Sequence, residues 1–113
     1  MVSVAETLAA YRAALAEVGE TITVRRLNPS PAAPTDVQAL ARITGYDPSE
    51  IVPGIQQGDR KVILLAEHVT LTPPLRAGDK LVVRGRVLNI ETVDDSTRRL
   101  GGVLVAYELL VRG

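Results

Sequence analysis

The 113-residue chain has no cysteine, no phenylalanine and no tryptophan, and its only histidine is His68. Without cysteine there is no disulfide, no thiolate nucleophile and no sulfur-ligated zinc. With one histidine, any Ser-His-Asp arrangement must run through His68, and no ligand spacing around it announces a metal. The aromatic residues are Tyr11, Tyr46 and Tyr107, so the chain lacks the stacking platforms that grip single-stranded nucleic acid. It also lacks a dominant sign of charge. Thirteen basic residues balance thirteen acidic ones, whereas a freestanding nucleic-acid binder carries a basic excess. Neither G-x-x-x-x-G-K-[ST] nor G-x-G-x-x-G occurs, which leaves nucleotide binding without a motif. Met1 to Val18 mixes apolar with charged positions and holds no continuous apolar run. It therefore predicts neither a signal peptide nor a membrane span, and an intracellular, soluble setting is the default expectation.

Apolar residues make up 46% of the chain, so the core must be built from Val, Leu, Ile and Ala. The length suits one domain over residues 1–113. Val4, Leu8, Tyr11, Leu15 and Val18 recur at helical steps and predict an N-terminal helix within residues 1–19. Ser3 and Glu6 have capping-box spacing, and Gly19 stands where a left-handed residue would end the helix. The opposite face carries Glu6, Ala9, Ala10, Arg12, Ala13 and Glu17.

Beyond Gly19 the period changes to that of strands. Thr21 to Leu27, Val37 to Ile43, Lys61 to Val69, Lys80 to Arg84, Arg86 to Val93 and Val103 to Arg112 read as six short strands separated by turn residues. They predict a mainly β fold: a small antiparallel β-barrel or sandwich with an N-terminal α-helix. Gly58-Asp59-Arg60 and Gly78-Asp79-Lys80 open two of these strands with the same turn chemistry, which is no sign of duplication. Between the second and third strands, residues 44–58 form a long loop rich in Gly, Pro and Gln. Such connections are uncommon in compact domains unless they are functional. This one also holds Tyr46, Ile51, Val52 and Ile55, too many apolar groups for a solvated linker.

Candidate catalytic groups reduce to little. His68 is read as a strand residue beside Glu67, a structural imidazole rather than a base. Asp94-Asp95-Ser96 lacks the twelve-position calcium pattern and reads as turn chemistry. No catalytic residue, cofactor or metal is expected, and the chain reads as a non-enzyme. Basic residues come in pairs, among them Arg84 with Arg86, which would share a strand face, and Arg98 with Arg99. Most charges on strand edges block stray pairing. These four are the candidates for a surface facing DNA or a partner.

Four segments together resemble a known family. They are Ile55 to Leu65 (IQQGDRKVILL), Pro73 to Val83 (PPLRAGDKLVV), Arg86 to Val93 (RVLNIETV) and Val105 to Arg112 (VAYELLVR). In this order they are similar to the head–tail joining proteins of long-tailed phages, prophages and gene transfer agents, in particular the head-closure or stopper group. The resemblance covers about the last two-thirds of the chain and rests on spaced glycines, acids and apolar strands. It implies a structural neck protein, made in the bacterial host cytoplasm and carried in the neck of the virion or phage-like particle. There it forms a homo-oligomeric ring of about twelve subunits, monomeric when free, between the portal or adaptor and the tail. It implies contacts with tail terminator or tail proteins and with packaged double-stranded DNA in the channel, but none with a membrane. It also implies that the long loop projects into the channel, making Tyr46, Asp47, Pro48, Glu50, Ile51, Val52, Pro53 and Ile55 the candidate plug and subunit-contact residues. A tail-terminator or adaptor neck protein is a related reading. A stand-alone β-barrel module binding a peptide or single-stranded nucleic acid is an unrelated one.

Overall fold

The computed structural model describes residues 3–46, 53–56 and 58–113. Its first element is α1 (Val4–Val18), capped by the Ser3 hydroxyl, which accepts the Glu6 N–H at 3.1 Å. Leu15 is the buried anchor of α1. The helix lies against two strands, β2 (Thr35–Gly45) and β3 (Arg60–Leu65). Two polar tethers hold it there. Arg12 forms a forked ion pair with Glu67 (Nη2–Oε2 2.7 Å), and the Tyr11 hydroxyl accepts from Arg98 at 2.9 Å. The alanine-bearing opposite face is exposed.

The barrel adds β1 (Glu20–Arg26), β4 (Lys80–Val83), β5 (Arg86–Asp94) and β8 (Ala106–Arg112), while β6 (Arg99–Leu100) and β7 (Val103–Leu104) make a separate small hairpin. Six strands close in the order β1-β2-β3-β8-β5-β4, every neighbour antiparallel. The predicted mainly β architecture is therefore a closed barrel, not a sandwich. Alternate residues point inward, as the pleat requires. The interior is filled by Ile22, Val24, Ala39, Ala41, Val62, Leu64, Leu81, Ile90, Leu109 and Val111, with Tyr107 the one aromatic among them. Branched aliphatics otherwise fill the narrow barrel around that single ring.

Neighbouring strands alternate in direction, so each rim has a definite set of termini. The upper rim holds the ends of β1, β3 and β5. The lower rim holds the ends of β2, β4 and β8. At the top, the connection between β3 and β4 brings Leu71 and Leu75 into the core as a plug. Both ends of the long β2–β3 connection lie at the bottom.

Several local expectations give way to tertiary context. The third strand stops at Leu65, and Ala66–His68 is a single 3₁₀ turn. His68 therefore is not a strand residue. Its Nδ1 accepts the Leu40 N–H at 3.1 Å, next to the last β2–β3 pair, Ala41 with Leu64. The imidazole thus supplies the acceptor that the departing strand no longer provides. The last predicted strand is broken between Leu104 and Ala106. Arg84 is not in a strand at all. Arg84 and Gly85, with φ of 50° and 77°, form the two-residue turn between β4 and β5, the twist-matched hairpin geometry that normally selects Asn or Gly.

Gly19 is a glycine for a different reason from the one its position suggests. Its backbone is extended (φ −97°), not left-handed. A Cβ there would lie 2.5 Å from the Leu15 carbonyl oxygen and 2.6 Å from that of Ala41, so the residue is small because the helix end touches β2. Gly19→Ala is expected to cost about 1–3 kcal/mol through forced backbone movement. Gly45→Ala, whose Cβ meets nothing within 4 Å, should stay within about 0.5 kcal/mol of wild type. Urea unfolding of the two variants provides the comparison, and equal stabilities would contradict the close-approach account.

Candidate functional site

Two seams of the barrel join strands far apart in sequence, β1 with β4 and β3 with β8. Each is locked by the same device. At the upper rim, the Arg76–Asp79 turn is closed by the Asp79 N–H bonding the Arg76 carbonyl at 3.2 Å, with Gly78 at φ 97°. The Asp79 carboxylate accepts the Arg76 N–H at 3.0 Å and takes both arms of Arg26 from the end of β1, at 3.0 and 2.8 Å. Arg26 also donates to the carbonyls of Pro73 and Pro74. At the lower rim, Asp59 bonds Gln56 in the same reciprocal way (3.0 and 2.8 Å), with Gly58 at φ 94°. Its carboxylate takes both arms of Arg112 from the end of β8, at 2.9 and 2.8 Å. The repeated Gly-Asp motif is thus one half of a clamp; the other half is an arginine ending the neighbouring strand.

The lower mouth of the barrel is open to a cavity of about 540 Å³. Its apolar floor is made by Ile43, Val83, Leu88 and Val111, and Arg60, Arg84 and Arg86 stand around it. Arg60 starts β3 and bonds the carbonyls of Gly58 and Asp59 at 2.9 and 3.2 Å. Arg84 meets Glu20 at 3.1 Å and is 72% exposed. Arg86, at the start of β5, has no hydrogen bond or ion pair to any described residue. The mouth therefore combines an apolar interior with cations that retain free donors, an arrangement that can hold an anionic group attached to an apolar body.

A second cleft, of about 470 Å³, lies between α1 and the β6–β7 hairpin, lined by Thr7, Tyr11, Leu100 and Val105. Arg98 spans it, donating to Tyr11 and, at 3.1 Å, to Glu108. Arg99 staples the hairpin through the carbonyls of Asp95 and Gly102. Asp94 uses both oxygens to bind the backbone and hydroxyls of Ser96 and Thr97, which holds it well below the usual carboxylate range. That is a saturated turn residue, in keeping with its reading from sequence.

The four arginines singled out by sequence therefore separate. Arg84 and Arg86 meet at the lower mouth, while Arg98 and Arg99 sit in the connection above the upper rim. Of the loop candidates, Tyr46 is half-buried with Lys61 Nζ 5.4 Å from its ring centre, Pro53 is exposed and Ile55 is half-buried. Gly54 offers its carbonyl to Arg112 at 3.4 Å. Asp47, Pro48, Glu50, Ile51 and Val52 lie outside the described residues. Sequence reasoning missed Arg60 at the mouth and the Arg26 and Arg112 clamp arms. The signal for the clamps was present in the two Gly-Asp turns, but their partners are 53 residues away in each case. Among the described residues, no cluster of three acidic or imidazole side chains could hold a metal, and no helix is long and apolar enough to cross a membrane. Comparison with protein-family models finds no match to this chain, and no curated protein matches it in sequence.

The clamps set an acid limit on stability. The bidentate Arg112 contact lowers the Asp59 carboxyl, against an opposing effect of burial. Burial is the largest influence on Asp79 and pushes it up, but the bonds from Arg26 and Arg76 and their charges outweigh it, leaving it lowered too. A carboxylate lowered by folding contributes stability above its unfolded pKa of about 4 and loses it as the pH falls through the folded value. Urea midpoints should hold steady near neutrality and fall below about pH 4. Asp79→Ala strands a buried guanidinium and should cost roughly 3–5 kcal/mol. Asp59→Ala should cost less, about 1–3 kcal/mol, because Arg112 keeps access to water. Both substitutions should flatten the acid limb; an unchanged limb would refute the assignment.

Proposed function

We propose that this chain is a structural neck component of a tailed phage or phage-like particle. In this reading it forms a ring between the portal or adaptor and the tail, helps retain packaged DNA and offers a surface for tail attachment. The observation that carries the reading is the closed six-strand barrel whose long β2–β3 connection leaves and returns at one rim. That is the architecture the four sequence segments imply. The clamped seams favour the same role, because a ring subunit must transmit load without its strands parting. Ion pairs that cross the two long-range seams oppose that failure. The balanced charge of the chain suits contact with protein neighbours, and DNA in the channel would be met through steric obstruction rather than a basic surface.

A second reading has its own support in the Arg60–Arg84–Arg86 mouth: a stand-alone barrel module that captures an acidic peptide. It differs in what assembly requires, since such a module works as a monomer with measurable ligand affinity.

Electron microscopy of purified particles carrying a gold-labelled copy of the chain tests the neck reading. Label at the neck, with DNA-leaking or tailless heads when the chain is deleted, is the expected result. Intact, full, tailed particles without the chain, or label elsewhere, would reject it.

A further inference from the structure

Two uncovered faces lie on opposite sides of the barrel. The helix packs on β2 and β3, and in the closed order β1-β2-β3-β8-β5-β4 the strands across from these are β5 and β4. Leu81, Val83, Leu88 and Ile90 point into the core, which leaves Lys80, Val82, Val87 and Asn89 on the outer surface. One register row, Thr23–Val82–Val87, crosses β1, β4 and β5 as a β-branched strip, and its Val87 is 50% exposed. A cation stands at each end of β4. Lys80, at the upper end, gives one donor to Asn89 at 2.6 Å, and an ammonium has three. Arg84, at the lower end, meets Glu20 through Nε at 3.1 Å and is 72% exposed. Its φ of 50° is costly for arginine. Strain held at a position with donors to spare points to a use for the side chain.

The outward face of α1 has the same layout with the opposite sign. Glu6, Ala9, Ala10, Ala13 and Glu17 point away from the side that Leu15 buries, and all five are exposed. Neither glutamate has an ion pair among the described residues. The two acids are about 16 Å apart along the helix, and Lys80 and Arg84 about 13 Å apart along the strand. Long side chains span that difference. Direction agrees too. Arg12 and Tyr11 tie the helix to Glu67 and Arg98 at the upper end, while Gly19 leads into the start of β1 at the lower end. Glu6 is therefore the upper acid and Glu17 the lower one, in the same order as Lys80 and Arg84. Toward β8 the outer surface carries Glu91 and Glu108 instead, which would repel the helix.

We infer that α1 of one copy docks across the outer face of β4 and β5 of the next, with Glu6 toward Lys80, Glu17 toward Arg84, and Ala9 and Ala13 over Val82 and Val87. Both copies keep the same end up and present different surfaces, the heterologous kind of contact that propagates around a ring. The inference rests on the ring reading and names the faces that meet. The charges set direction and register, and the apolar strip between them excludes water.

The chain has no cysteine, so the contact is open to site-specific cross-linking of the full-length protein at near-millimolar concentration. With a short bis-maleimide, the double variant Ala13→Cys/Val82→Cys should give a ladder of dimers, trimers and larger species. A mixture of the two single variants should stop at dimer, and Ala13→Cys/Thr70→Cys, with its second thiol on the exposed upper connection, should give no ladder. Added to the cross-linking variant, Glu6→Lys or Lys80→Glu alone should cut the yield roughly fivefold, and the two together should restore it. Glu17→Lys with Arg84→Glu is a second reversal pair, used if circular dichroism shows the first to be misfolded. Absence of a ladder, an equal ladder from the Thr70 control, or failure of the paired reversals to restore the yield would overturn the inference. The free chain is the sample, so a missing ladder beside label at the neck rejects this contact alone. A ladder beside label elsewhere rejects the neck reading alone.

Discussion

A barrel of six strands is only as sound as the seams that chain connectivity does not provide. In this protein β1 meets β4 through three registered residue pairs, Thr23–Val82, Val24–Leu81 and Arg25–Lys80. Nothing in the local sequence brings those segments together, and the entropy of closing the intervening chain must be met by contacts made at the seam. The Arg26–Asp79 clamp does this where it has most effect, at the end of the short ladder. It fixes the terminus of β1, the turn that launches β4 and the proline segment behind it in one buried network. A charge pair so buried adds little over apolar packing, yet half of it left alone would be strongly unfavourable. The clamp therefore selects register more than it adds stability.

The Arg112–Asp59 clamp repeats the device at the opposite rim with a different consequence. Arg112 is a third exposed and reaches beyond Asp59 to the Gly54 carbonyl and, at 3.7 Å, to Glu91. It links the end of β8 to the returning limb of the long connection, so the base of that connection is part of the barrel's own bonding. The two rims thus differ. Leu71 and Leu75 plug the upper end, and the lower end is left open among the described residues, with arginines around an aliphatic floor. That polarity gives the barrel a distinct face, as a subunit needs if it is to meet different neighbours above and below.

The helix is joined to this scaffold by contacts of several kinds. Leu15 supplies burial, Arg12 and Tyr11 supply directional bonds, and Gly19 lets the helix end touch β2. Because Arg98 serves both Tyr11 and Glu108, the helix, the β6–β7 hairpin and β8 share one polar node. A residue that looked like a surface cation in the sequence is in this way occupied within the fold.

Periodicity and turn chemistry were sufficient to read the helix, six strand regions and a core made mostly of aliphatic side chains, although Thr44 and Gly45, read as loop, extend β2. Each of these depends on neighbours a few residues apart: helical spacing from Val4 to Leu15, alternation from Val37 to Ile43, glycine and aspartate before β3 and β4. Closure into a barrel rather than a sandwich, the role of His68 as a replacement strand partner, the turn position of Arg84 and the company kept by each arginine were not legible. They depend on which segments meet across the barrel, and residues separated by fifty positions carry no mark of one another in a single sequence. Arg26 and Arg112 read as ordinary strand-end cations until the fold sets a carboxylate against each. Local backbone preference determined the elements; long-range packing and the cost of unpaired buried charge decided how they joined.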